Sequence, residues 1–379
     1  MRNPTSSSSL SFVPAKARAA GAVSEAAQPL SEFGREMQAG LARSPRSISP
    51  KFFYDAAGSQ LFDRICELPE YYPTRTELRI LGECAGEIAQ QVGPNAEIVE
   101  FGAGSLTKVR LLLDALETPR RYLPIDISGE HLEAAAARLK ADYPALVVQP
   151  IAADYTMPMV LPAPMAGAGR RVGFFPGSTI GNFEPDEALA FLQLAARMLR
   201  GGGLLIGVDL VKDPGRLHAA YNDAQGVTGE FNLNLLRRAN SELNADFDLD
   251  GFSHAAFYNA PRQRIEMHLV SRRAQSVCLN GERFGFEEGE TIHTEYSHKF
   301  TVEGLRALAA RAGFKPGAVW RGRVSPRRAT HFLLLRQKKV SKEKATPLSA
   351  TLRFATGNLR CSRFAGSRPN SLRSDKGEP

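Results

Sequence analysis

The chain has 379 residues, 43% of them hydrophobic, and a formal net charge of +8. That length allows two folded lobes with a sizeable core, and no run of about 18 apolar residues is present to span a membrane. Residues 338–379 hold ten basic and three acidic residues, a net +7, so the remainder carries only +1; the basic balance belongs to that tail, which could touch nucleic acid or another polyanion but reads better as a solvated segment.

Residues 1–30 are rich in Ser, Ala and Pro and lack the apolar core of a secretory signal, so a disordered leader is expected there. Residues 338–379 combine low hydrophobic content with Ser, Arg, Pro and Gly, which predicts a disordered basic tail to which no role is assigned. Cys66, Cys84, Cys278 and Cys361 are scattered without a C-x-x-C pair, which suits a reducing cytoplasm. The seven histidines show no metal-binding spacing, and no metal is expected.

Order is expected from Ser31, with an amphipathic helix over 32–43. Next comes a segment dense in aromatics and turn residues, Ser49 to Ile65 and Leu68 to Glu77, of the kind that lids a cofactor cleft. Thr76 to Gln91 reads as a helix. Strands and helices then alternate: strand 98–101, helix 105–117, strand 121–127, helix 129–142 with Ser128 as N-cap, strand 146–151 and strand 171–175. Helix 185–200 begins with Pro185 and ends at Gly201-Gly-Gly203, and strand 204–210 is apolar on both sides. This is the pattern of a doubly wound α/β sheet.

The alternation stops at residue 212. A polar helical stretch, Gly215 to Glu242, precedes strand-like runs at 255–258, 264–270 and 291–296 with alternating polar and apolar residues. An inserted α+β lobe is expected over 212–299, completed by residues 31–74. The sheet-forming domain then covers 75–211 and 300–337, closing with helix 302–313 and strands near 316–321 and 330–337.

The stretch Glu100-Phe-Gly-Ala-Gly104 forms a glycine turn between strand and helix. Such a turn lets a ligand approach the backbone and offers helix N–H groups. Position 107 is Thr, so the G-x-G-x-x-G dinucleotide pattern fails, which argues against a nucleotide-dependent oxidoreductase. With its preceding acid the turn resembles motif I of class I methyltransferases, which bind S-adenosylmethionine (SAM); another nucleotide or a plain structural turn remain open on this motif alone. Asp126 ends the next strand at the spacing of a ribose-binding acid. Asp154-Tyr155 ends the third, where such enzymes meet the adenine.

Longer stretches are more specific. Lys51-Phe-Phe-Tyr-Asp, Leu68-Pro-Glu-Tyr-Tyr-Pro-Thr-Arg75, Phe175-Pro-Gly-Ser-Thr-Ile-Gly-Asn-Phe183, Asp209-Leu-Val-Lys-Asp213, Ala220-Tyr-Asn-Asp223, Val227-Thr-Gly-Glu-Phe-Asn232, Arg264-Ile-Glu-Met-His268 and Thr294-Glu-Tyr-Ser-His-Lys-Phe300 together resemble the histidine Nα-methyltransferases of ergothioneine biosynthesis. The resemblance spans 31–337. It implies a class I methyltransferase sheet with an inserted substrate lobe, SAM as cofactor, and trimethylation of the α-amine of L-histidine to hercynine in a monomeric protein without nucleic-acid or membrane partners. Another amino acid or small amine is the alternative substrate.

The resemblance also assigns residues. Gly102, Gly104, Lys108, Asp126, Asp154 and Tyr155 fall at its cofactor site. Tyr71, Asn182 and Tyr221 fall where carboxylate and amine are held, with Tyr54 near the amine; Asn182 and Tyr54 are the expected catalytic pair. Glu295, Tyr296 and Ser297 fall at the imidazole segment, with Met267 lining it, although strand alternation turns Tyr296 opposite to its two neighbours. Asp209 and Asp213 are read as capping the insert and left out of the site.

Overall fold

The computed structural model describes residues 30–104, 106–321 and 331–337; all but the last residue of the expected leader 1–30, and the tail 338–379, lie outside them. An eight-stranded sheet runs in the order Phe314–Arg321, His331–Gln337, Gly203–Val208, Arg171–Phe175, Glu97–Phe101, Arg121–Asp126, Val147–Val148, with Ile151–Ala152 also pairing the Arg121–Asp126 strand. Its centre is parallel, and the last two strands form the expected antiparallel hairpin.

Alternation along each strand explains why helices cover both faces. Ile98, Tyr122 and Phe174 pack with Ile80, Val109 and Leu139 on one face. Val99, Leu123 and Phe175 pack with Phe191, Leu192 and Leu305 on the other. Each face hides apolar area worth about 25 cal/mol per Å².

A second sheet orders Arg46–Ser47, Thr291–His298, Arg264–Ser271 and Phe252–Asn259. Its core joins distant parts of the chain: Phe33, Phe53 and Ile65 pack with Phe231, Leu236 and Met267. Leu210 and Phe300 bridge side by side, so the intervening stretch leaves and rejoins the large sheet at one point.

Several expected elements differ in detail. The helix read over Gly215–Glu242 is two helices, Pro214–Ala219 and Val227–Leu243. The break comes where the Asp223 carboxylate accepts the N–H groups of Val227 and Thr228 at 2.8 Å each, an N-terminal cap written into the middle of the polar run. Strand 146–151 is interrupted at Pro150, which has no N–H to donate. Ser128 sits at the N-cap of helix Gly129–Asp142, but its side chain makes no capping bond; its own N–H donates to Asp126 instead, at 2.9 Å. The hairpin Gln275–Leu279 with Glu282–Phe286 was not among the expected elements. Among the described residues no helix is long and apolar enough to cross a membrane.

Candidate active site

The glycine turn lies at the C-terminal end of the central Glu97–Phe101 strand, where ligands bind to doubly wound sheets. Gly102 has φ +69°, a left-handed conformation that favours glycine, and the Tyr155 ring lies against it, 3.4 Å from where a Cβ would stand. Gly104 donates its N–H to the Asp126 carboxylate at 3.2 Å. Asp126 also receives the Ser128 N–H, which fixes the acid at the mouth of the turn. Asp154 accepts from the Thr156 N–H and hydroxyl at 2.9 and 2.5 Å, which directs the chain so that Tyr155 turns in among Phe101, Phe175 and Phe191. Glu100 sits beneath the turn, bonded by the Tyr122 hydroxyl; burial pushes its carboxyl up to about 8 despite that bond.

Lys108 is held by Glu77 at 2.6 Å. Glu77 is fully buried and also accepts the Gly177 N–H on both oxygens, at 2.8 and 2.9 Å. The acid therefore ties the helix Tyr72–Val92, the first helix after the glycine turn and the Pro176-Gly177 loop into one corner. Sequence reasoning missed it, although an acid flanked by Thr76 and the apolar Ile80 and Leu81 was a visible oddity.

A second cleft lies under the inserted sheet, lined by Phe62, Tyr71, Tyr221, Phe231, Met267 and Glu295 among others. Glu295 owes its place to a β-bulge. His293 pairs with His268 and Glu295 with Met267, leaving Thr294 as the extra residue. The Thr294 hydroxyl donates to Asn232 at 2.7 Å, which pins the bulge and turns Glu295 into the cleft. Glu295 is 8% exposed. Burial raises its carboxyl to about 7, against the pull of the Lys299 ammonium.

Asn182 reaches Glu295 from the large sheet, donating through Nδ2 at 3.4 Å. It gets there because Gly181 lies hard against the strand: a Cβ at 181 would fall 2.8 Å from the His298 carbonyl oxygen. Tyr221 donates to Ser297 at 2.7 Å and faces Tyr71 edge-on at 6.4 Å. Tyr54 packs edge-on against Phe62 and Phe231. Burial raises its phenol well above the ordinary value, and the negative charge of Glu295 adds to the shift.

Of the expected site residues, the structure gathers Tyr54, Tyr71, Asn182, Tyr221, Met267, Glu295 and Ser297 around one cleft, and Gly102, Gly104, Lys108, Asp126, Asp154 and Tyr155 around the glycine turn. Tyr296 belongs to neither group. Its ring stacks on His293 at 3.7 Å and lies under the Arg264 guanidinium at 3.6 Å, on the opposite strand face, as the two-residue period of a strand requires. Sequence reasoning passed over Lys299 and Lys212, and read Asp209 as a cap. Far from merely capping the insert, Asp209 is fully buried between both lysines and the Tyr72 hydroxyl, whereas Asp213 does cap, accepting the Arg216 N–H at 2.9 Å.

This geometry can be set beside known proteins. Residues 33–333 match the model of the histidine-specific, SAM-dependent methyltransferases. The chain belongs to that family. Histidine N-alpha-methyltransferase of Mycolicibacterium smegmatis is 45% identical over 76% of this chain and 90% of that protein. The Mycobacterium tuberculosis protein of the same name is 41% identical over 74% and 88%. Ergothioneine biosynthesis protein 1 of Neurospora crassa is 32% identical over 73% of this chain and 32% of its own length. Membership of the histidine-specific family gives SAM as the cofactor, on the doubly wound sheet described above. The corner built by Gly102, Asp126 and Tyr155 fits that cofactor, with a turn open to close approach, an acid for paired hydroxyls and an aromatic face.

Proposed function

We propose that this chain transfers methyl groups from SAM to the α-amine of L-histidine, three times in succession, giving the trimethylated betaine hercynine in ergothioneine biosynthesis. The observation that carries the substrate is Glu295, a buried carboxylate aimed into an otherwise apolar and aromatic cleft. Leaving that acid without a ring N–H is costly, so an amino acid with an apolar side chain is rejected.

Gly102, Gly104, Lys108, Asp126, Asp154 and Tyr155 would hold the cofactor, which supplies an electrophilic methyl on a sulfonium. What remains for the protein is positioning, a contribution of about 7–11 kcal/mol when the reacting groups are well aligned. The attacking amine must carry a free lone pair. Asn182 donates to Glu295 through Nδ2, which leaves its Oδ1 to accept an amine N–H. Tyr54 and Tyr71 are kept as neutral phenols by burial, so neither fixes the amine as ammonium by charge. Tyr71 and Tyr221 would take the carboxylate. The sequence ends at the quaternary product, which has no lone pair left.

Mass spectrometry after incubation with SAM and each of the twenty amino acids tests this. Gains of one to three methyl groups on histidine alone are expected. Methylation of another amino acid, or of none, overturns the assignment.

A further inference from the structure

Behind the cleft lies a buried set of charges that methyl transfer does not itself require. Lys299 is 3% exposed and follows Glu295 and Ser297 at two-residue steps, continuing the inward face just beyond the strand's end. Its ammonium donates to the Ser297 hydroxyl at 2.8 Å, to the Tyr221 hydroxyl at 3.1 Å, and pairs with Asp209 at 3.2 Å. A lysine ammonium has three donors and no acceptor, so all three are accounted for. Asp209 is held in turn by Lys212 and by the Tyr72 hydroxyl at 2.5 Å, and its own N–H donates to Ser178.

The consequence falls on Tyr221 and Ser297. A hydroxyl has one donor and two acceptor positions. Tyr221 gives its proton to Ser297 at 2.7 Å and receives Lys299. That direction is the favoured one, because a phenol is the more acidic of the two hydroxyls. Ser297 thus accepts twice, from Tyr221 and from Lys299, and its own proton is left for a ligand. The lysine donates to both hydroxyls, so the acidity of the phenol sets the direction of the bond between them; the lysine fills the second acceptor position of Ser297, and without it Ser297 would keep a lone pair open to a ligand N–H.

On the same strand face, one step away, Glu295 is acceptor only when ionised. The pair therefore presents an acceptor beside an obligate donor. An imidazolium offers two N–H groups and would set one of them against the Ser297 proton. A neutral imidazole offers one N–H and one bare nitrogen, and matches both. Glu295 alone would favour the cation; the hydroxyl pair decides against it.

Resting on the histidine assignment made above, we propose that Lys299 is a positioning residue that fills the last acceptor position of Ser297 and leaves it a donor, so that the site takes the substrate ring as neutral imidazole, its N–H on Glu295 and its bare nitrogen on Ser297. Removing Lys299 leaves Asp209 still paired with Lys212 and Tyr72, so no isolated buried charge is created.

Two measurements test this. The first is nitrogen NMR of ring-labelled histidine bound to the wild-type enzyme with S-adenosylhomocysteine at pH 7. One pyrrole-like and one pyridine-like nitrogen are expected; two pyrrole-like nitrogens, the imidazolium signature, overturn the inference while sparing the proposed function. No histidine binding at all overturns both. The second is a double-mutant cycle by calorimetry with Lys299→Met and Ser297→Ala. Each single change should weaken histidine roughly 10- to 100-fold. The double variant should be within about threefold of the weaker single, with S-adenosylhomocysteine affinity changed less than about twofold. Losses that multiply, or an equal loss of S-adenosylhomocysteine binding, would reduce Lys299 to a structural lysine.

Discussion

The two halves of the site are built on different plans. The cofactor half is local: Gly102, Gly104 and Lys108 lie within seven residues, and Asp126 and Asp154 close the next strand ends of one parallel sheet. The substrate half is assembled from a lid segment, a loop of the large sheet, a helix of the insert and two antiparallel strands, and it buries charge. Glu295, Lys299, Asp209 and Lys212 lie within one region, and every one of them is buried. The difference teaches where specificity resides. A glycine turn with strand-end acids serves many nucleotide ligands, whereas a buried, mutually satisfied set of charges accepts few partners because each mismatch strands a desolvated group.

That contrast can be broken by substitution. The largest expected effect is Glu295→Ala, which should lower kcat/KM for histidine about 100-fold or more while leaving the Kd of S-adenosylhomocysteine within about twofold. Equal loss of both would mean that the halves are not separable. The reverse test is Asp126→Ala, expected to weaken S-adenosylhomocysteine about 10- to 100-fold with little change in the cleft, measured by calorimetry.

A smaller effect concerns pH. Burial raises the Glu295 carboxyl from 4.5 to about 7, so the folded protein binds that proton more tightly than the unfolded chain does. The associated stability is present below about pH 4.5 and is lost as pH rises to about 7, roughly 3 kcal/mol in all. Glu100, raised to about 8, contributes in the same direction. In the ligand-free protein, Glu295→Gln should flatten the fall in melting temperature between pH 5 and 8, without abolishing it. For binding the sign reverses: histidine affinity should fall as pH drops below 7 and Glu295 takes up its proton. An unchanged melting profile in the Gln variant would show that Glu295 is not buried as described.

The smallest effect belongs to Tyr296→Phe. The Tyr296 ring stacks on His293 and Arg264 away from the cleft, so the histidine KM should change less than about twofold. A tenfold rise would place the Tyr296 hydroxyl on the substrate after all.

How much was legible in the sequence follows the same division. The parallel sheet, its glycine turn and the strand-end acids could be read directly, because strand period, helix period and turn chemistry are local. The grouping of Tyr71, Asn182, Tyr221 and Glu295 was reachable only through resemblance, since nothing local places residues so far apart in one cleft. The bulge at Thr294 depends on Asn232, some sixty positions earlier, and no periodicity announces it. Nothing local in the sequence announces that Asp209, Lys212 and Lys299 are buried together, or that Glu77 is buried against Lys108 and Gly177. The Gln275–Phe286 hairpin did carry a local signal, Asn280-Gly281 with both residues at positive φ, the two-residue turn that joins antiparallel strands.

The central claim is that a buried glutamate reads the ring N–H of the substrate. Its most direct test is the rate of methyl transfer to histidine against β-(2-thienyl)alanine, whose ring has similar size but no N–H, in the wild type and in Glu295→Ala. A preference for histidine of about 100-fold or more in the wild type, collapsing in the variant, is expected. Equal rates in the wild type, or a preference that survives loss of the carboxylate, would contradict it.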